Sequence, residues 1–231
     1  MSIEEKHGVL GTDYAEGRNV NTALKYRLLR RTREVREGIL SYVGSDPKHI
    51  VDFGTAEGKM LNELSISFPE ANCTGIEYNP DLVALGKKLF PHLSILQGDL
   101  ENLDSLEDNK YDVAVATAVI EHLENPLKFL ERAYQVLKPG GIIIMTAPDP
   151  FWEHIATMVG HLADEQHHEV PNLKKMQEYL SISNFEILKA QKFMLSPIGL
   201  PAEIFIEKLV RGLGCNFLFA NQLVIGRKLS V

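Results

Sequence analysis

Residues 49–60 read HIVDFGTAEGKM, a short apolar run closed by glycine, and KMLNELSISF (59–68) behind it has apolar residues at helical spacing up to Pro69. This is a strand, a glycine turn and a helix, and the unit recurs outward along the chain. NCTGIEY (72–78) predicts a second strand, and NPDLVALGKKLF (79–90) a helix with Asn79 as N-cap and Pro80 at its first position. LSILQG (93–98) reads as a third strand. YDVAVATAV (111–119) reads as a fourth, continuously apolar as a strand buried on both faces must be. Pro126 opens a helix in which Leu127, Leu130, Tyr134 and Leu137 share a face, and KPGG (138–141) then turns the chain into a fifth strand, GIIIMTAP (141–148). Strand–helix alternation throughout residues 48–147 implies parallel strands joined by right-handed crossovers, a doubly wound α/β fold with helices on both faces.

The flanks follow other rhythms. Leu24, Leu28, Val35, Ile39 and Tyr42 recur at the period of one helical face. The other face of that leading helix carries Lys25, Arg27, Arg30, Arg31, Arg33 and Arg36, and with Glu34 and Glu37 among them it is expected to be solvated, with recognition of a phosphate or carboxylate on a ligand as its other role. After Pro148 come a helix from Phe151, a His-rich loop, a helix opened by Pro171, and NFEILKAQKF (184–193) with strand character. SPIGLPAEIFIEKLVRG (196–212) is expected to be a helix whose Ile204, Phe205, Ile206, Leu209 and Val210 pack over the last strands, although the same residues suit a lipophilic site or a membrane surface. NFLFANQLVIGRK (216–228) supplies a final strand, giving a mostly parallel seven-stranded sheet with one antiparallel strand at its edge. One domain over 1–231 is expected, with a helical extension at 1–46, a ligand-binding core at 47–150 and an acceptor-side region at 151–231.

Composition narrows the partners. Apolar residues make up 45% and charged residues 24%, enough to bury a core. The 24 Lys and Arg against 31 acids give −7, which disfavours a non-specific hold on nucleic acid or on an anionic membrane surface while leaving room for a local basic patch. Cys73 and Cys215 match neither a zinc spacing nor a disulfide framework and read as reduced thiols. MSIEEKHGVL lacks the layout of a signal peptide, and no run approaches the ~18 apolar residues of a membrane span. The cytoplasm is the expected compartment, without stable membrane insertion, for a monomer or homodimer.

In open α/β sheets the first strand–helix turn meets an anionic part of the ligand, and Gly54 and Gly58 permit positive φ and close backbone approach. Taken alone, the turn could equally be structural. A phosphate-binding P-loop needs four residues between its first glycine and the GK pair, whereas Gly54 and Gly58-Lys59 enclose three and Met60 replaces the hydroxyl. A dinucleotide fingerprint from Gly54 would need glycine where Ala56 and Lys59 stand. An acid two residues before the first glycine and a glycine four beyond it, as in Asp52, Gly54 and Gly58, fits S-adenosylmethionine.

With these residues the chain resembles the class I S-adenosylmethionine-dependent methyltransferases, well over residues 48–150 and loosely elsewhere. The family's first motif, approximately D-x-G-x-G-x-G, here reads Asp52-Phe53-Gly54-Thr55-Ala56-Glu57-Gly58, with alanine for the middle glycine. The resemblance implies that Glu77, at the end of the second strand, takes the ribose hydroxyls. It implies that Asp99, beside Leu100 after the third strand, takes the adenine amino group, and that Thr117 and the residues after it lie under the methionine and face the acceptor. The residue types suit those roles. A ribose diol offers two donors that converge on one carboxylate, an adenine amino group needs an acceptor, and Tyr78 and Leu100 can stack on or enclose the ring. The zwitterionic methionine end suits backbone donors after Gly54 and water held by Asp52.

Methyl transfer from a sulfonium is an in-line displacement, so alignment contributes most, up to roughly 7 to 11 kcal/mol in favourable cases. His122 is the candidate base for an acceptor that must lose a proton, with loop-fixing hydrogen bonds as its other possible role. A related group that methylates RNA ends binds a metal through two glutamates and a histidine here plus a later histidine. Glu121 and His122 are present and His167 or His168 could follow, but Ala118 stands where the first glutamate would be, so no metal is expected. The expected activity is methyl transfer to an oxygen or nitrogen of a small-molecule acceptor. A non-catalytic S-adenosylmethionine-binding protein is the alternative, and a nucleotide-dependent oxidoreductase a more distant one.

Overall fold

The computed structural model describes residues 11, 15, 17, 20–103, 106–158, 169–196 and 198–229. The chain runs α1 (Thr22–Tyr42), β1 (His49–Phe53), α2 (Lys59–Ser67), β2 (Asn72–Glu77), α3 (Pro80–Leu89), β3 (Ser94–Gln97) and β4 (Tyr111–Thr117). It continues with α4 (Pro126–Val136), β5 (Leu137–Pro148), α5 (Pro150–Met158), α6 (Leu173–Ile182), β6 (Phe185–Phe193), α7 (Glu203–Gly212) and β7 (Asn221–Lys228). Short 3-10 turns occupy Ile120–His122 and Asn216–Leu218. Asn79 caps α3 through the Asp81 amide, and Pro80 occupies the position where a missing N–H costs nothing.

The strands form one sheet in the order β3-β2-β1-β4-β5-β7-β6. The first five strands are parallel in register, and β7 runs antiparallel to both β5 and β6. The antiparallel strand is therefore not at the edge, as the sequence suggested, but inserted one place inside it. Side-chain burial explains the placement. Asn221 to Gly226 are buried, as suits a strand covered on both faces, whereas most of β6 is only half-buried and accepts the edge.

Alternate side chains feed two cores. Ile142 and Ile144 point to the layer holding Val35 and Ile39 of α1 and Leu61 and Leu64 of α2, whereas Ile143 and Met145 point to the layer holding Phe129 and Leu130 of α4 and Met176 and Leu180 of α6. Helix α1 lies close to the sheet at Gly38, where an added Cβ would come within 2.9 Å of Ile225 Cδ1 and 3.0 Å of Ile144 Cδ1. No helix among the described residues is long and apolar enough to cross a membrane.

Candidate active site

The order β3-β2-β1-β4 brings four strand carboxyl ends side by side, and the winding reverses between β1 and β4, where an open α/β sheet leaves a crevice. The turn after β1 lies across the end of β2, with Gly54 N–H and Thr55 N–H donating to the Ile76 carbonyl at 2.8 and 3.0 Å. Gly54 has φ +71, and a Cβ there would sit 2.6 Å from Val119 Cγ2, so backbone angle and space both require glycine. Ala56, where the family pattern has glycine, holds φ +51 all the same. Its methyl is buried in a small cluster with Ala15 and Leu82. The replacement therefore costs backbone strain, on the order of 1–2 kcal/mol, rather than a different turn.

Carboxylates punctuate the neighbouring ends. Asp52 is buried and accepts from Thr55 Oγ1 at 2.7 Å. Glu77 is also buried, its Oε2 accepting from the Ala56 amide at 2.8 Å and its Oε1 from the Asn79 amide at 2.9 Å. Two amides on different loops thus fix the carboxylate. Half-buried Asp99 accepts from the Glu101 amide at 3.0 Å and the Asn102 side chain at 3.1 Å. Leu100 joins the core cluster of Ile76 and Val119, and Tyr78 beside Glu77 is half-buried.

From β4, Thr117 donates its hydroxyl to Met60 Sδ at 3.7 Å, and Ala118 turns the chain with φ +53. Val119, packed at Gly54, carries this segment over the glycine turn and into the 3-10 turn of buried Glu121 and half-buried His122. The fold thus sets the residues that the sequence nominated, Asp52, Gly54, Thr55, Ala56, Gly58, Glu77, Tyr78, Asp99, Leu100, Thr117 and His122, at the carboxyl ends of β1, β2, β3 and β4 or on the turns that follow them. Among the described residues no group of three or more His, Cys, Asp or Glu side chains is placed to hold a metal, and His167 and His168 lie outside those residues. Beside the 3-10 turn, a cavity of about 420 Å³ is lined by Ile120, Leu123, Glu124, Pro126, Glu169 and Tyr179.

Two supporting residues escaped the sequence reading. Gln222, fully buried, donates Nε2 to the carbonyls of Pro148 and Pro171, both at 2.8 Å, and so ties the approach to α6 to the end of β5. Asp149, also buried, pairs with Lys192 Nζ at 2.5 Å and accepts from the Phe151 amide at the start of α5. A polar residue next to a run of buried apolar ones was the available signal for both.

Two expectations for the flanking helices fail. The basic face of α1 is not wholly solvated: Arg30 is buried, donates to both carboxylate oxygens of Glu207 at 2.9 and 3.0 Å and lies 3.2 Å from Glu34, while Arg31 reaches Asn221. The outward residues of α7 do not pack over the last strands either. Its buried residues are Glu203 and Glu207, while Phe205, Ile206 and Leu209 are exposed. Arg30, Tyr26 and the Met194 and Leu195 amides draw the glutamates inward, and the helical period then turns the apolar stripe outward.

Comparison with known proteins agrees with this arrangement. A family model described as a methyltransferase domain matches residues 26–190. The malonyl-[acyl-carrier protein] O-methyltransferase of Halalkalibacterium halodurans is 27% identical over 157 residues, 64% of this chain and 56% of that protein. A trans-aconitate 2-methyltransferase of Rhodopseudomonas palustris is 24% identical over 152 residues, 65% of this chain and 59% of that protein. The chain thus spans less than two thirds of the length of these relatives. Among solved structures, a Haloferax volcanii chain in complex with the Trm112 methyltransferase activator superposes with a TM-score of 0.70 at 17% identity, covering 94% of this chain and 98% of that one, a likeness of fold. With the family model matching most of its length and the sheet order described above, the chain belongs to the class I S-adenosylmethionine-dependent methyltransferases.

Proposed function

We propose that the protein transfers the sulfonium methyl of S-adenosylmethionine to an oxygen or nitrogen of a small-molecule acceptor, with His122 as the base. The observation that carries this reading is the Glu77 carboxylate, held by the Ala56 and Asn79 amides between the glycine turn and β2. A fixed, buried carboxylate of this kind suits a vicinal diol, because it is already oriented before binding and carries the charge that two converging hydroxyls favour. Asp99 one strand further out accepts from the adenine amino group, and Leu100 and Tyr78 bound the ring. The turn from Gly54 to Gly58 receives the amino-acid end of the cofactor.

When bound, the cofactor supplies an electrophilic methyl whose departure discharges the sulfur. The protein's share is alignment and exclusion of water: the segment from Thr117 to His122 packs against the glycine turn through Val119, and in this reading it divides the cofactor from the acceptor. There, His122 takes the proton that an acceptor hydroxyl or amine loses as the bond to carbon forms. One relative's name specifies an O-methyltransferase, which supports oxygen as the acceptor atom.

The test is incubation of cell metabolite extracts with methyl-labelled donor and either the protein or its His122→Ala variant. Protein-dependent labelling is expected, reduced at least about a hundredfold in the variant while S-adenosylhomocysteine binding is retained. Cofactor binding without labelling of any compound would leave a binding protein. Undiminished labelling by His122→Ala would remove that residue from the base role.

A further inference from the structure

Helix α7 is amphipathic in the wrong direction for a helix that serves only the core. Glu203 and Glu207 are each 4% exposed, whereas Phe205 is 64% and Leu209 55% exposed, one turn apart on the outward face. The stripe continues past the helix end into Leu213, and Phe217 on the following 3-10 turn is also exposed. Phe217 in turn accepts from Trp152 Nε1 at 2.9 Å, which carries the apolar surface to α5 and exposed Phe151 at the acceptor end of the sheet. On the other side, a cavity of about 660 Å³ between α1 and α7 joins exposed Leu29 and Leu200 to Phe205, with Arg33 and Arg36 in its wall.

Charge around this surface runs against the charge of the chain. The protein carries −7, yet both carboxylates of α7 are turned inward onto Arg30, Tyr26 and backbone amides, leaving Lys208 as the outward charge of the helix. Lys25, Arg33 and Arg36 are exposed along α1, where the acids nearby are Glu37, paired with Arg33, and Glu63 in the cavity wall. An apolar stripe rimmed by cations matches a surface with acyl chains below and phosphates above. A symmetric contact between two copies fits less well, because it would place the same cations opposite one another.

We propose that the outward face of α7, with Phe217 and the cationic edge of α1, seats the protein on an anionic lipid surface. Phe205, Leu209 and Leu213 enter the acyl boundary, and Arg33 and Arg36 meet headgroup phosphates. The apolar surface is continuous with α5, so docking would place the acceptor side of the sheet beside the bilayer. This proposal does not depend on the identity of the methylated atom.

Co-sedimentation with phosphatidylcholine vesicles, with and without phosphatidylglycerol, tests it on the full chain. Wild-type protein should partition onto the vesicles containing phosphatidylglycerol and be released by salt. A Phe205→Asp/Leu209→Asp double variant should bind at least about tenfold more weakly, and Arg33→Ala/Arg36→Ala should bind the anionic vesicles less without change on the neutral ones. A Leu213→Asp variant, beyond the end of the helix, provides a second substitution that leaves α7 intact, and S-adenosylhomocysteine binding should be unaltered in all three. No partitioning by the wild type, or equal partitioning by the double variant, overturns the proposal. A dimer by light scattering that the double variant dissociates, without vesicle binding, would assign the face to a second copy instead.

Discussion

Glu77 concentrates the cofactor argument in one side chain, since both its oxygens are already engaged by amides from separate loops. Glu77→Ala should weaken S-adenosylhomocysteine binding by about 1.5 to 3 kcal/mol in titration calorimetry, the range for hydrogen bonds to a charged group. Unchanged affinity would take Glu77 out of the site. Glu77 was legible from its place at the end of a strand, ahead of a capped helix. The Ala56 departure was legible too, but its cost was not, because only the fold shows a left-handed alanine whose methyl is buried beside Ala15 and Leu82. Cys73 shows the same division. Its spacing gave a free thiol, whereas burial, with the Asp52 carboxylate adding to it, pushes that thiol up to about 11 and makes it a packing residue rather than a nucleophile.

Elements are joined by polar residues that no periodicity announces. At the amino end of the sheet, Asp112 of β4 accepts from the Lys48 and His49 amides ahead of and in β1, and pairs with Lys138 of β5 at 2.6 Å. Partial burial pushes its carboxyl upward, but the Lys138 ammonium and the two amides outweigh that and hold it below the usual carboxylate range. A depressed folded-state value contributes stability that is present above the unfolded value and lost as pH falls through the folded one. Asp112→Asn should therefore cost about 1 kcal/mol at neutral pH, a figure reduced because the site is only partly buried and solvent screens the pair. In denaturant titrations at several pH values the gap between the two proteins should close below about pH 4. A constant gap would mean that the clasp is not ionic. The α1–α7 contact makes the same point: Arg30 and Glu34 read as part of a solvated face in the sequence, yet the pairing of Arg30 with Glu207 and of Tyr26 with Glu203, each across 177 residues, turns an apolar helix face outward.

For the molecule as a whole, a ligand that binds only the folded state raises its stability by mass action. S-adenosylhomocysteine at roughly a hundred times its dissociation constant should add about 2.7 kcal/mol, or roughly 5–10 °C in melting temperature for a chain of this size, whereas NADH should add nothing. A shift with NADH alone would restore the oxidoreductase reading. The sequence by itself determined the alternating core and the parallel strands, and it nominated the candidate cofactor residues, because local periodicity, turn chemistry and strand-end position are properties of neighbours along the chain. Tertiary structure alone decided that β7 inserts between β5 and β6, that Gln222 bridges the carbonyls of Pro148 at the end of β5 and Pro171 ahead of α6, and that α7 shows its apolar side to solvent. The first depends on which strand can be covered on both faces, and the other two on which distant partner satisfies a buried polar group. That competition is settled only when the whole chain has packed, since a glutamate with a guanidinium to meet and one facing water are spelled the same way.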